Sequence, residues 1–203
     1  MKIAVLSDDD GWNELIACNN YINWIRINNV EELLYTEDVH AGFILHPADK
    51  ALHNYPGTYP LFINSVTTTL QEMNAGDNLI RINGWAGFLA KRIWEVCGNL
   101  NEAATAVLRE LGKQYIQVPD EPGFISARII AMIINEAYYA AGENVSSETD
   151  IDIAMKLGTN YPYGPFEWSK IIGEKNIYNL LMKLSIRDSR YTIAPALEKF
   201  IHS

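Results

Sequence analysis

Residues able to do chemistry are few in this chain, and most lie in its first half. Three consecutive carboxylates, Asp8-Asp9-Asp10, follow the apolar run Lys2 to Leu6 and precede Gly11. Such a triplet could gather a cation, but its plainer reading is a solvated acidic loop. His40, His46 and His53 are spaced like no common metal-ligand motif and read as surface or strand-end residues. No histidine occurs from Asn54 to Ile201. Cys18 and Cys97 lack a CxxC spacing and read as reduced, unpaired thiols. Thr67, Thr68 and Thr69 close an apolar run, where threonines serve as turn and cap residues or as hydroxyl donors. Tyr161, Tyr163, Glu167 and Trp168 could line a pocket, although clustered aromatic residues more often form core and interface.

These residues are positioned by two kinds of element. Up to Val118 the chain alternates short apolar runs with helical pieces. Lys2–Leu6, Tyr21–Ile27, Gly42–His46, Leu61–Val66, Leu79–Ile82 and Tyr115–Val118 read as strands, and Asn101 to Gly112 as a helix capped by Asn101. This alternation predicts an α/β layer with a mostly parallel sheet. The turn Pro119-Asp120-Glu121-Pro122-Gly123 interrupts any regular element. Beyond it the periodicity is helical. A long apolar helix from Phe124 is expected to end at Gly142 as a C-cap glycine, and a second to open at Ser147, with Asp150 completing the cap, and to stop at Gly158. A third should begin at Pro165 and end near Gly173. The expected domains are therefore 1–118, α/β, and 119–203, all-α.

Composition bounds the function. Of 203 residues, 48% are hydrophobic and 20% charged, which is enough apolar content for a buried core. The net charge of −9 argues against nucleic acid and anionic membranes as partners, so neither is expected. No apolar run approaches membrane-spanning length, and Met1 to Leu6 is too short for a signal-peptide core. The expected location is the cytoplasm.

Three phrases carry a family resemblance: PGFISARII, NEAYYAAGENVSSETDIDIAMKLGTNYPYGPFEW and SRYTIAPALEKF, in order over some eighty residues. Together they resemble the C-terminal helical domain of the 3-hydroxyacyl-CoA dehydrogenases. The resemblance implies a Rossmann-like NAD-binding first domain, here truncated, because the stretch before LFINSVTTTL is short for a full Rossmann half. In that family a Gly-x-Gly-x-x-Gly turn after the first strand receives the cofactor's diphosphate. Here Ser7 and Asp9 stand near the first two glycine places and Trp12 near the third. No cofactor-binding residue and no metal ligand is therefore assigned, and NAD, the family's cofactor, is not expected to bind.

The family's catalytic pair, a histidine base and a glutamate that orients it, falls in the stretch resembled by RINGWAGFLAKRIWEV. Glu95 matches the glutamate, while Ala86 stands where the histidine would be. Thr68 is the best match to the family's substrate-positioning hydroxyl, and Ala127 replaces the family's asparagine. Glu95 and Thr68 are thus the vestigial catalytic candidates, and neither supplies a base poised near neutral pH. The expected function is a non-catalytic homologue, a homodimer through its helical domain, that binds an acyl-CoA-like small molecule or a partner. The alternative is an active NAD-dependent 3-hydroxyacyl-CoA dehydrogenase, an oxidoreductase of fatty-acid metabolism, with relocated site residues and His46 as base.

Overall fold

The structure is a computed structural model and describes residues 1–45, 52 and 57–202. It divides into two compact units, Met1–Phe124 and Ile125–Ser203. The turn Pro119 to Gly123 thus belongs with the first unit.

The first unit is built on a seven-stranded sheet in the order β2-β1-β3-β4-β5-β6-β7. Its strands are β1 (Lys2–Leu6), β2 (Asn23–Ile27), β3 (Ala41–Ile44), β4 (Leu61–Asn64), β5 (Leu79–Ile82), β6 (Ile93–Gly98) and β7 (Gln114–Gln117). Among the described residues only the β5–β6 pairing is antiparallel. One face gathers Ile3, Val5, Phe43, Phe62, Ile80, Ile82, Trp94 and Val96. Leu15 of helix α1 (Asp9–Ile16) and Ala104, Val107 and Leu108 of helix α3 (Glu102–Glu110) pack against it. Phe43 and Phe62 stack at 4.8 Å at its centre, worth about 1 kcal/mol beyond the area they bury. The other face carries Ala4, Ile44, Leu61, Ile63 and Leu79 beneath Leu33 of the short helix α2 (Glu32–Tyr35). Strands buried on both faces show continuous apolar runs rather than alternation, as KIAVL and LFIN do.

The parallel crossover from β4 to β5 uses residues 65–78 and contains no helix. Such crossovers need a dozen or more residues and usually contain one. Here side chains anchor the loop instead, as described below. The sequence reading missed the strand Ile93–Gly98, and β7 is an exposed edge strand.

The second unit packs α4 (Ser126–Gly142), α5 (Glu148–Thr159), α6 (Pro165–Ile172), α7 (Glu174–Ser185) and α8 (Pro195–His202). Buried Asn135 of α4 accepts from the Ala194 N–H at 2.9 Å and donates to the Thr192 carbonyl, which docks the chain entering α8. Two expected helix ends move. Gly142 is the last residue of α4, and Asn144 adopts the left-handed backbone beyond it. A Cβ on Gly142 would stand 3.1 Å from the Ala196 Cβ, so the glycine serves close packing of α8 rather than the cap. Likewise α5 runs through Gly158, and Asn160 takes the left-handed C-cap. Ser147 does cap α5, accepting from the Asp150 N–H, and α6 does begin at Pro165 and end at Ile172, with Gly173 as its C-cap. No helix among the described residues is long and apolar enough to cross a membrane.

Candidate functional site

In a sheet of this order the crossovers leave to opposite sides of the β1/β3 boundary, and ligands bind beyond the carboxyl ends of the strands at such a point. The β1–α1 turn there is Ser7-Asp8, only two residues long. Asp8 is the N-cap of α1: its Oδ1 accepts from the Gly11 N–H at 2.9 Å, and its carbonyl accepts from Trp12. Asp9 and Asp10 form the first helical turn, favoured there by the helix dipole. Asp8 to Asp10 are thus exposed, as the sequence reading has them, but they form the cap and first turn of α1 rather than a loop. Asp9 pairs with Arg26 of β2 at 2.7 Å, and the same guanidinium donates to the Ser7 carbonyl and lies 5.5 Å from the centre of the Trp12 ring. A diphosphate at this helix end would meet the Asp8 carboxylate already on the N–H it needs. The residues present do not fit a dinucleotide.

Behind the turn lies Gly84–Ala90, which carries Ala86. Asn64 at the end of β4 accepts from the Gly84 N–H at 3.0 Å and donates to the Leu45 carbonyl. Glu14 of α1 clamps the other end, its two carboxylate oxygens accepting from the Gly87 and Ala90 N–H groups at 3.1 and 2.7 Å. Gly87, at φ +82°, supplies the positive φ this turn requires. The loop is rigidly held, but what it presents at Ala86 is a methyl group.

Thr68 and Glu95 are placed by different elements. Thr68 is exposed on the loop after β4, and its carbonyl accepts from the Ser65 hydroxyl. The hydroxyl with a structural role is that of its neighbour Thr69, which is buried and accepts from the Glu72 N–H while Glu72 accepts from the Thr69 N–H. Glu95 is half-buried on β6 opposite Ile116. Burial pushes the Lys91 ammonium below the usual lysine value, and the Glu95 carboxylate pulls it back up. Ala127 is fully buried in α4. His46 and His53 lie outside the described residues, and His40 accepts from the Lys2 N–H through Nδ1. Among the described residues no group of three metal-ligating side chains is found.

The sequence reading missed the polar centre of this unit. Arg81 of β5 is fully buried. It donates to the Ser65, Val66 and Glu121 carbonyls and pairs with Asp120 at 2.5 Å. Asp120 also accepts from the Leu70 and Gln71 N–H groups. Burial alone would raise the Asp120 carboxyl, but those N–H groups and the guanidinium outweigh it and hold it below the usual range. Burial first, and then the Asp120 charge, push the nearby Cys97 thiol up to about 11. The Arg81 guanidinium also covers the Phe124 ring at 4.8 Å, and Phe124 has the left-handed backbone (φ +52°) that an aromatic residue rarely adopts. A lone arginine inside the apolar strand LIRI was the available signal, since a buried guanidinium must find a carboxylate.

The aromatic group of the second unit forms as a cluster, with Tyr161 and Tyr163 centred 5.4 and 6.2 Å from Trp168. Glu167 is used structurally, accepting from the Gly164 N–H and from Lys156. Gly164 has no side chain with which to cap α6. Buried Asp152 of α5 does so from outside, accepting from the Phe166 and Glu167 N–H groups at 2.8 and 3.2 Å. A Cβ on Gly164 would fall 2.4 Å from the Asp152 Cβ, so this helix crossing requires glycine.

Comparison with known proteins agrees with this architecture. The family described as "3-hydroxyacyl-CoA dehydrogenase, C-terminal domain" matches residues 123–203. The 3-hydroxyadipyl-CoA dehydrogenase of Escherichia coli (strain K12) is 49% identical over 77 residues, which are 38% of this chain and 16% of that protein. A probable 3-hydroxybutyryl-CoA dehydrogenase of Bacillus subtilis (strain 168) is 37% identical over 98 residues, 47% of this chain and 34% of its own length. The chain thus spans about a third or less of these two curated relatives. In fold the likeness runs throughout. The crystal structure of (S)-3-hydroxybutyryl-CoA dehydrogenase from Ralstonia eutropha superimposes with a TM-score of 0.77 at 18% identity, covering 99% of this chain and 93% of that one. The first unit is therefore a truncated Rossmann-like layer and the second the helical domain that follows it. The helical unit thus carries the sequence of the 3-hydroxyacyl-CoA dehydrogenase C-terminal domain, and the chain along its length is similar in fold to a solved dehydrogenase of that kind.

Proposed function

We propose that this chain is a family member that has given up hydride transfer and acts as a non-catalytic, dimeric protein able to hold an acyl-CoA-like ligand or a protein partner. The observation that carries the reading is the Asp8 carboxylate bound to the Gly11 N–H, where a dinucleotide diphosphate would have to sit. Ala86 adds to it, because the loop that would present a base is clamped at both ends and presents none. NAD is accordingly not a cofactor of this chain. Neither nucleic acid nor membrane is a partner of a chain with a charge of −9, and the cytoplasm is the compartment that suits two unpaired thiols. Homodimerisation through the helical unit is supported by the large apolar side chains it exposes, Val145, Leu157 and Ile186 among them.

Isothermal titration of the purified protein with NADH and, separately, with acetoacetyl-CoA tests the reading. Binding of the CoA ester without NADH binding is the expected result. Micromolar NADH binding, or NADH-dependent reduction of acetoacetyl-CoA above a protein-free control, would overturn it.

A further inference from the structure

Away from the strand ends described above, one groove of the first unit combines a free cation, an exposed aromatic ring and an apolar floor. It lies between α3 and β7, has a volume of about 380 Å³, and is lined by Thr105, Leu108, Arg109, Lys113, Gln114 and Tyr115. Leu108 is fully buried, while Tyr115 is 42% exposed on the edge strand. The Lys113 ammonium donates to the Leu89 and Lys91 carbonyls at 2.6 and 2.9 Å and lies 5.0 Å from the centre of the Trp94 ring. That wall is therefore fixed and positively charged. Arg109 stands in the last turn of α3, where the helix dipole favours a cation. Among the described residues its guanidinium has no hydrogen bond and no ion pair, and neither has that of Arg92, whose carbonyl accepts from the Gln114 N–H at 3.0 Å. From Lys91 to Tyr115 four cations face three carboxylates, in a chain whose net charge is −9. No carboxylate lines the groove.

We infer that this groove binds a planar aromatic ring bearing a phosphate, of the size of a nucleoside monophosphate. The ring lies against Tyr115 above Leu108, the Arg109 fork takes the phosphate oxygens, and the Gln114 amide meets the ring's polar edge. The volume falls within the range of small-molecule sites. This site is distinct from the α1 N-terminus and does not depend on the function proposed above.

The test is titration of the isotope-labelled full chain, followed by amide chemical shifts, with AMP, adenosine, inorganic phosphate and adenosine 3′,5′-bisphosphate as separate probes. AMP is expected to bind saturably and to shift the amides of Thr105, Arg109, Gln114 and Tyr115. Adenosine and phosphate alone should each bind about tenfold more weakly or worse. Arg109→Glu should weaken AMP by about tenfold or more and Tyr115→Ala by several-fold, with unchanged circular dichroism because both side chains are exposed. Tighter binding of the bisphosphate than of AMP would assign the site to the nucleotide end of a larger carrier; the reverse order would assign it to free nucleotide. The inference is overturned by absence of saturation at millimolar AMP, by shifts confined to other residues, by full affinity in Arg109→Glu, or by phosphate binding as tightly as AMP.

Discussion

At the scale of single residues, two substitutions separate what this chain lacks from what it has rebuilt. Returning a histidine at Ala86 supplies an imidazole on a well-held loop, but the helix end that would hold the dinucleotide stays occupied by Asp8. Ala86→His is therefore expected to show no NADH-dependent reduction of acetoacetyl-CoA, assayed beside the parent protein. Asp120 carries a structural load instead. Asp120→Asn leaves the buried Arg81 charge without its counter-ion and is expected to cost about 3 kcal/mol in urea unfolding. The same carboxylate gives a pH dependence whose sign is fixed. Its folded value lies below the unfolded one, so the stability it contributes is present above the unfolded value and lost as pH falls through the folded one. The urea midpoint should accordingly drop below about pH 4, and drop less in Asp120→Asn. Cys97, pushed up to about 11 and buried, should stay unlabelled by a thiol reagent at neutral pH until the protein unfolds.

At the scale of elements, most strands and helices were legible. Apolar runs such as LFIN and LIRI announce strands because buried parallel strands show little alternation. The caps Asn101 and Ser147 announce helix starts because their side chains satisfy free N–H groups. The misplaced helix ends were both glycines: Gly158 lies within α5 facing open space, while the meaning of Gly142 depends on a contact distant in sequence. Gly142 exists for Ala196, 54 positions on, and no local pattern contains that fact. The same holds for Gly164, whose neighbour is Asp152 of another helix. Gly164→Ala should destabilise the helical unit by about 2 kcal/mol, because the new Cβ displaces the carboxylate that caps α6. Asp152→Ala should cost a similar amount by removing the cap itself. Combining the two should cost less than their sum, since both act on one interaction, and a double-mutant cycle in urea reads this directly. In the candidate site, the lack of an imidazole at Ala86 and of an amide at Ala127 could be read from residue identity alone. The capping role of Asp8 and the clamps from Glu14 and Asn64 could not, because a carboxylate's partner N–H is set by how the chain folds.

At the scale of the whole molecule, charge and apolar surface pull association in opposite directions. A net charge of −9 makes two copies repel, so a dimer needs a contact in which apolar area outweighs that repulsion. The helical unit exposes Ile129, Val145, Leu157, Ile186 and Phe200, each of which contributes about 1 kcal/mol or more when half of its area leaves water. An apolar contact opposed by long-range repulsion has a characteristic salt response. Screening removes the repulsion and leaves the burial untouched, so raising the salt should tighten the dimer, whereas a contact built on ion pairs would loosen. Sedimentation equilibrium of the full chain should give twice the 22.9 kDa chain mass, with a dissociation constant that falls between low and high salt. A monomer at every salt concentration would remove the dimeric part of the proposed function, and a dimer that salt dissolves would place the contact on charged surface instead.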